Sequence, residues 1–246
     1  MLKVLCKLLL IIGAVTYIVF ALTKWNKNDT SRQCKALDIA VNDSSKAGFI
    51  TPKEVERILR QHNLYPIDKR MDFVDTYKIE KTLLANPFVL KANCYKTAGD
   101  KVRIDIQQRL PLLRVMTDKG ENYFIDMNGR IMPRMHYAAD LVIATGNISK
   151  KYAQKHLYAL GKLLQNDAFL DNQIEQICVD SIGHIELIPR VGEHIIYIGA
   201  PTALEKKFSH LKTFYKKVLS EVGWNKYSVI NLEYTNQIIC KKKLQQ

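Results

Sequence analysis

Apolar and polar residues change their period several times along the chain, and each change marks an element. From Leu8 to Thr23 sixteen uncharged, mostly apolar residues run without a break. After a polar stretch over 24–35, Leu37, Ile39 and Val41 alternate with polar or small residues, as on a strand with one buried face. "TPKEVERILRQH" switches to a helical period, with Val55, Ile58 and Leu59 on one side. Thr51 predicts a cap, Pro52 a first helical position and Glu54 the return half of a capping box. "DTYKIEKTLLAN" repeats that period through Ile79, Leu83 and Leu84 and stops before Pro87. Two strands, "FVLKANCYK" and "KVRIDIQQ", follow, joined by a turn at 97–100. The alternation then breaks at Gln108-Arg109-Leu110-Pro111, where Pro111 has no N–H for a ladder. The order strand–helix–helix–strand–strand predicts two helices covering one face of a three-stranded sheet.

Beyond Arg114 the pattern is mostly that of strands. "ENYFIDMNGRIMPR" predicts a hairpin turning at Asn128-Gly129, and "LVIATG" a further strand. A helix capped by Ser149 is expected over 149–165, with Ala153, Leu157, Leu160 and Leu164 inward. "QIEQICVD", "HIELIPR" and "EHIIYIG" read as a meander. A second helix over 203–223 is expected to turn Leu204, Phe208, Leu211, Tyr215 and Val218 inward and its lysines outward. The closing "SVINLEYTNQIIC" reads as one strand.

The initial apolar run is long enough for a membrane span if Lys7 reaches back to the surface, since about 20 residues cross a bilayer. Counted so, it covers Val4 to Thr23, with Tyr17 inside and Trp25 at an interface. The competing reading is a cleaved signal peptide, but Ala21-Leu22-Thr23 is a poor cleavage site. A lipoprotein is excluded because neither Cys6 nor Cys34 follows the run at a suitable place. The expectation is an uncleaved anchor with a short tail inside and everything after residue 24 outside.

Net charge sharpens this picture only partly. The formal value of +13 is uneven, with residues 31–116 at +6, 117–200 at −2 and 201–246 at +6. Such a chain suits anionic lipid, nucleic acid or an acidic partner. On the 205–217 helix, however, the aromatics that could stack on bases share the inward face, which favours a solvated lysine face. Five cysteines, odd in number and without C-x-x-C, read as buried thiols; a Cys34–Cys94 bridge has no support in their spacing. Asp126-x-Asn128-Gly129 resembles the start of a calcium loop but lacks its downstream carboxylates. Asp180, Ser181, His184 and Glu186 lie close in sequence, yet catalytic triads are assembled from distant segments, so a turn is the plainer reading. No phosphate loop, nucleophile elbow, zincin or dinucleotide motif occurs. Three N-x-[ST] sequons, at Asn28, Asn42 and Asn147, matter only in a eukaryotic secretory route.

An anchor, an α+β unit ending "VRIDIQQRLPLLRV" and a β-rich unit opening "YFIDMNGRIMPR" together resemble the bacterial division proteins of the FtsQ (DivIB) family. "ANPFVLKANCY", Arg109-x-Pro111, "IELIPRVGEHIIYIG" and the closing "INLEY" carry the likeness in order over residues 36–240. The chain departs from the family pattern at Gln108, where an acidic residue is common, and at Asn231 and Glu233, where Asp and Arg are commoner. The resemblance implies an α+β protein with five parts. These are a cytoplasmic tail (1–7), a single transmembrane helix (8–23), a linker (24–35), a POTRA-like βααββ domain (36–116) and a mostly antiparallel β-domain with two helices (117–246). It implies a non-enzymatic divisome scaffold in the bacterial inner membrane at the septum, its bulk periplasmic, helping to couple septum assembly to peptidoglycan synthesis. Its partners would be FtsB/FtsL-like coiled-coil proteins and other divisome components, with no nucleic acid, cofactor, metal or small-molecule substrate. The alternative is a POTRA-containing component of envelope protein transport or assembly. A single-pass glycosyltransferase is disfavoured by the lack of a D-x-D metal motif. If the segment from Tyr227 to Cys240 lies at a sheet edge, it can accept a partner strand, with Tyr227, Ser228, Ile230, Leu232, Glu233, Tyr234 and Asn236 as contacts.

Overall fold

A computed structural model describes residues 11–21, 32–42, 48–134 and 141–243. Of the expected membrane anchor only 11–21 fall within this set. They form a helix that rises about 16 Å, roughly half the bilayer core. Among the described residues no helix is long and apolar enough to cross a membrane.

The first unit follows the predicted order. Strand β1 (Ala36–Asn42) leads to helix α1 (Pro52–Gln61), helix α2 (Thr76–Leu84) and strands β2 (Val89–Thr97) and β3 (Lys101–Gln108). β3 lies in the middle, parallel to β1 and antiparallel to β2. The Thr51 hydroxyl accepts the Glu54 N–H at 3.2 Å, so the cap forms as expected. The return half of the capping box does not, because the Glu54 carboxylate is drawn to Arg57 one turn on. That ion pair holds the Glu54 carboxyl below its usual range. Asp75 caps α2 by accepting the Lys78 N–H at 2.9 Å. Val55, Leu59, Ile79 and Leu83 pack on Val102, Ile104 and Ile106, every one shut off from solvent. On the opposite face Arg103 bonds Asp105, which also accepts from the Tyr95 hydroxyl. The two-residue period of the sequence is thus the two faces of β3.

Cys34 and Cys94 are separate buried thiols in this core. Burial raises the pKa of both, that of Cys94 to about 12.

The second unit is built on a mixed sheet of nine strands. In chain order they are β4 (Pro111–Thr117), β5 (Asn122–Asp126), β6 (Ile131–Pro133), β7 (Ile143–Gly146), β8 (Ile174–Val179), β9 (Ile185–Pro189), β10 (Ile195–Gly199), β11 (Tyr227–Asn231) and β12 (Ile239–Lys242). Across the sheet they run β12-β11-β10-β9-β8-β7-β4-β5-β6. The β4–β7, β7–β8 and β10–β11 pairs are parallel and the rest antiparallel. The sheets therefore divide at Arg109-Leu110, and β4, counted with the first unit on sequence grounds, belongs to the second.

Helices cover one face of this sheet. Helix α3 runs through Lys150–Tyr152, a π-helical turn Ala153–Leu157 and Tyr158–Gln165. A short α4 (Ala168–Gln173) follows, capped by Asp167. Helix α5 runs through Leu204–Phe214, a π-turn Tyr215–Leu219 and Ser220–Val222. The π-turn inserts an extra residue into the helical period, so Leu219 is buried where Val218 was expected. Phe208, Leu211, Tyr215 and Leu219 pack with Leu157, Leu160 and Leu164 over Leu113, Ile177, Leu187, Ile196 and Ile230.

The joint between the units answers for the Arg-x-Pro break. Gln108, 1% exposed, uses its side chain to accept the Ile50 N–H at 2.9 Å, which is why an uncharged residue suits this buried position. Arg109 Nη1 reaches Asp126 Oδ2 at 2.8 Å across the joint. Phe49, Phe124 and Met132 form a small shared core, with Phe88, Leu110 and Leu141 packed around it.

Candidate functional site

The C-terminal segment folds back on itself, and this changes which residues lie at an edge. The single strand expected over 228–240 is two strands, β11 and β12, paired antiparallel. The strand ends where the Asn231 side chain accepts the Glu233 N–H at 2.8 Å, an Asx turn that competes with the ladder. Leu232 then drops into the core, 1% exposed, while its N–H donates to Tyr197 O at 2.8 Å. β11 is held on both sides, by β10 in parallel and by β12. Among the described residues β12 is the last strand on that side of the sheet.

Ladder geometry identifies the free backbone groups. The Lys243 N–H donates to Lys226 O at 3.1 Å, so Lys243 points into the sheet. Alternation along an antiparallel strand then turns the N–H and C=O of Cys240 and Lys242 outward. The irregularity in the pairing lies on β11, between Tyr227 and Val229, leaving β12 regular. The Ser228 hydroxyl donates to Lys241 O at 3.3 Å across this bulge.

The seven residues singled out from sequence fall into three groups. Ile230 and Leu232 are core residues, at 0% and 1% exposure, and present nothing to a partner. Tyr227 stacks obliquely on Phe214, ring centroids 5.8 Å apart, and Ser228 and Glu233 are half-buried. The Glu233 N–H points at Asn231 and not outward. Tyr234, 51% exposed, and Asn236 stand in the loop before β12. Ile239, 47% exposed, and the outward backbone of Cys240 and Lys242 form the edge itself and were missed. Asn231 followed by Thr235-Asn236 is the turn chemistry that signals the fold-back.

Ion pairing and a buried lysine fasten this part of the sheet. Lys243 pairs with Glu193 and keeps that carboxyl below its usual range, while Asn225 accepts the Glu193 N–H at 3.2 Å. Lys207, expected on the solvent face of α5, is only 2% exposed. Its ammonium donates to Ile198 O at 2.7 Å and Ala200 O at 3.0 Å, tying α5 to the end of β10. Burial lowers its pKa, opposed by the nearby Glu233. Glu233 thus favours the charged ammonium.

The other constellations resolve into turns. Asp180 Oδ1 accepts the N–H groups of Ile182 and His184, and His184 Nδ1 lies 2.8 Å from the Tyr197 hydroxyl, so no Ser181–His184–Asp180 relay is assembled. Asp126 Oδ1 accepts from Asn128 N and Arg130 N, closing the hairpin that resembled a calcium loop. Among the described residues no three His, Cys, Asp or Glu side chains gather as a metal site.

Comparison with known proteins separates the same two units. A POTRA-like domain model matches residues 32–107, and a family model described as FtsQ/DivIB, C-terminal related, matches residues 110–241. No curated protein matches the chain. The two matches meet within three residues of the Arg109-Leu110 joint, and the second spans more than half of the chain: this protein belongs to the FtsQ/DivIB C-terminal related family.

Proposed function

We propose that this protein is a non-enzymatic scaffold of the bacterial division machinery, and that it captures FtsB/FtsL-like partners by adding one of their strands to the β12 edge. The observation that carries the reading is the regular β12 ladder, which among the described residues is open at the end of a nine-stranded sheet. Outward N–H and C=O groups supply affinity by strand addition, and Ile239 and Tyr234 supply side-chain contacts that fix the register. Lys241 and Lys242 stand on the edge itself and attract an acidic partner segment, an effect that weakens with salt. Residues 4–23 anchor the chain in the inner membrane and place both domains in the periplasm at the septum, where the scaffold couples septum assembly to peptidoglycan synthesis.

Depletion in the native host tests the cellular role. Filamentous cells and a mid-cell position of the fluorescently tagged protein are expected. Normal division on depletion, with a tagged protein spread evenly over the envelope, contradicts it. Export reporters fused at residues 30 and 246 should both be active outside the cytoplasm.

A further inference from the structure

A second feature of the β-domain lies on its helical face, away from the β12 edge. Phe169 of α4, Tyr215 of α5 and Trp224 after α5 form the walls of a pocket of about 460 Å³, which Lys212, Lys216 and Ser220 complete. Tyr215 meets Phe169 and Trp224 edge-on, with centroids 5.5 and 5.1 Å away. Tyr215 is buried and forms the floor, whereas Phe169 is 37% exposed and Trp224 half-buried. In α5 Phe208, Leu211 and Leu219 are buried, whereas the aromatic wall beside them stays open to solvent.

The lining limits what can bind. Two ammonium groups stand at the mouth, and among the described residues no carboxylate lines the pocket, so a cation is repelled. Lys212 is paired with Asp167, while among the described residues Lys216 has no acidic partner. Ser220, the one hydroxyl besides Tyr215, already donates to Lys216 O at 2.6 Å, leaving little to recognise a neutral polar ligand. Large apolar groups next to a negative charge satisfy every wall. Lys212 also lines the adjoining furrow between α3 and α5, about 800 Å³, where Leu163, Leu204 and Phe208 form the floor; Lys162, Lys206 and Lys212 outnumber the carboxylates of Asp167 and Glu205 there, which leaves the furrow net basic. A furrow continuing from the pocket suits an extended polypeptide better than a compact molecule.

We propose that the Phe169–Tyr215–Trp224 pocket is a second docking site, receiving a large apolar side chain from an acidic segment of a partner polypeptide whose remainder lies along the α3–α5 furrow. It is independent of strand addition at β12, since none of its residues belongs to β11 or β12.

The two tryptophans, Trp25 and Trp224, make the test direct. Full-length protein carrying Trp25→Phe in detergent micelles is titrated with three labelled peptides of equal length. One has phenylalanine flanked by glutamates, one has that phenylalanine replaced by alanine, and one has phenylalanine flanked by lysines. The glutamate–phenylalanine peptide should bind about tenfold more tightly than either control and shift the Trp224 emission to the blue. Lys216→Glu, a surface change, should weaken it about fivefold, and Phe169→Ser by a similar factor, with unchanged circular dichroism. Equal binding of the alanine control, an unshifted Trp224 or indifference to Lys216→Glu would each overturn the proposal. So would displacement of the peptide by 3-phenylpropionate at equal affinity, which would make the pocket a small-molecule site, or a dimer broken by Lys216→Glu, which would assign it to a second copy.

Discussion

Asp126→Ala strikes the joint between the two domains, and its cost can be worked from the contacts it removes. Asp126 is 1% exposed and accepts three hydrogen bonds, from Asn128 N at 2.8 Å, Arg130 N at 2.7 Å and Arg109 Nη1 at 2.8 Å. Alanine leaves the Arg109 guanidinium, whose side chain is 11% exposed, without its counter-charge. Removing one partner of a buried pair costs ~3–5 kcal/mol, and the slight solvent access of Arg109 favours the low end, ~3. The two N–H groups sit in a turn where water can reach them, adding ~1 kcal/mol together. At 2–4 °C per kcal/mol, a total near 4 lowers the melting temperature of the β-domain by roughly 8–16 °C. Arg109→Met should cost less, ~2 kcal/mol, because Asp126 keeps both turn N–H groups. A double-mutant cycle should return a coupling of ~1–2 kcal/mol. The assay is urea unfolding of the full chain, fitted with separate transitions for its two cores. A loss below ~1 kcal/mol for Asp126→Ala, or a coupling below ~0.5, would refute the view that this pair locks the joint.

Two further outcomes test the packing. His194 is 2% exposed, contacts the Tyr215 hydroxyl through Nε2, and no hydrogen bond of ordinary geometry reaches its Nδ1. Burial pushes its pKa below the usual histidine value, against a weaker pull from the Trp224 backbone. The unfolded chain therefore binds its proton first on acidification, so stability is full above the unfolded pKa of about 6.5 and falls as pH drops through the folded value. Melting curves from pH 7.5 to pH 5 should show this loss, and His194→Gln should flatten it; an unchanged slope in the variant would remove His194 as the cause. Gly146 closes β7 at φ +109, and a Cβ there would sit 2.0 Å from Val179 O, so Gly146→Ala should cost more than about 3 kcal/mol and deplete soluble protein. Normal abundance and melting of that variant would mean that the β7–β8 register is not as described.

Local chemistry was the legible part of this fold. Thr51 and Asp75 cap helices, Asn128-Gly129 turns a hairpin and the Val102–Gln107 alternation marks a central strand, because each depends on neighbours in sequence. The Glu54 side chain went elsewhere because Arg57 offers a charge one turn away. Positions set by distant contacts were not legible. The parallel β10–β11 pair needs a crossover through all of α5, and periodicity carries no trace of which strand it will meet. In "SVINLEYTNQIIC" Ile230, Leu232 and Tyr234 keep a strand period past Asn231, which hides the break there although Asn231 supplies the turn. The π-turns escaped because they shift the buried face by one residue only after the helix has formed. The sequence places Lys207 on a solvated face, since nothing local shows that the carbonyls of Ile198 and Ala200 await its ammonium. For the proposed site, the sequence points to the C-terminal segment as one strand, whereas the fold makes it a hairpin whose second arm, β12, is outermost among the described residues.

The most direct test of the central claim is partner capture by full-length Lys242→Pro protein. Proline at this position removes an outward donor of β12 while the Lys243 bond to Lys226 remains, so the ladder within the sheet should survive. With circular dichroism and melting unchanged, capture of the proposed FtsB/FtsL-like partner from crosslinked membranes is predicted to fall about tenfold, and Cys240→Pro should do the same. Wild-type capture by both folded variants would contradict strand addition at β12.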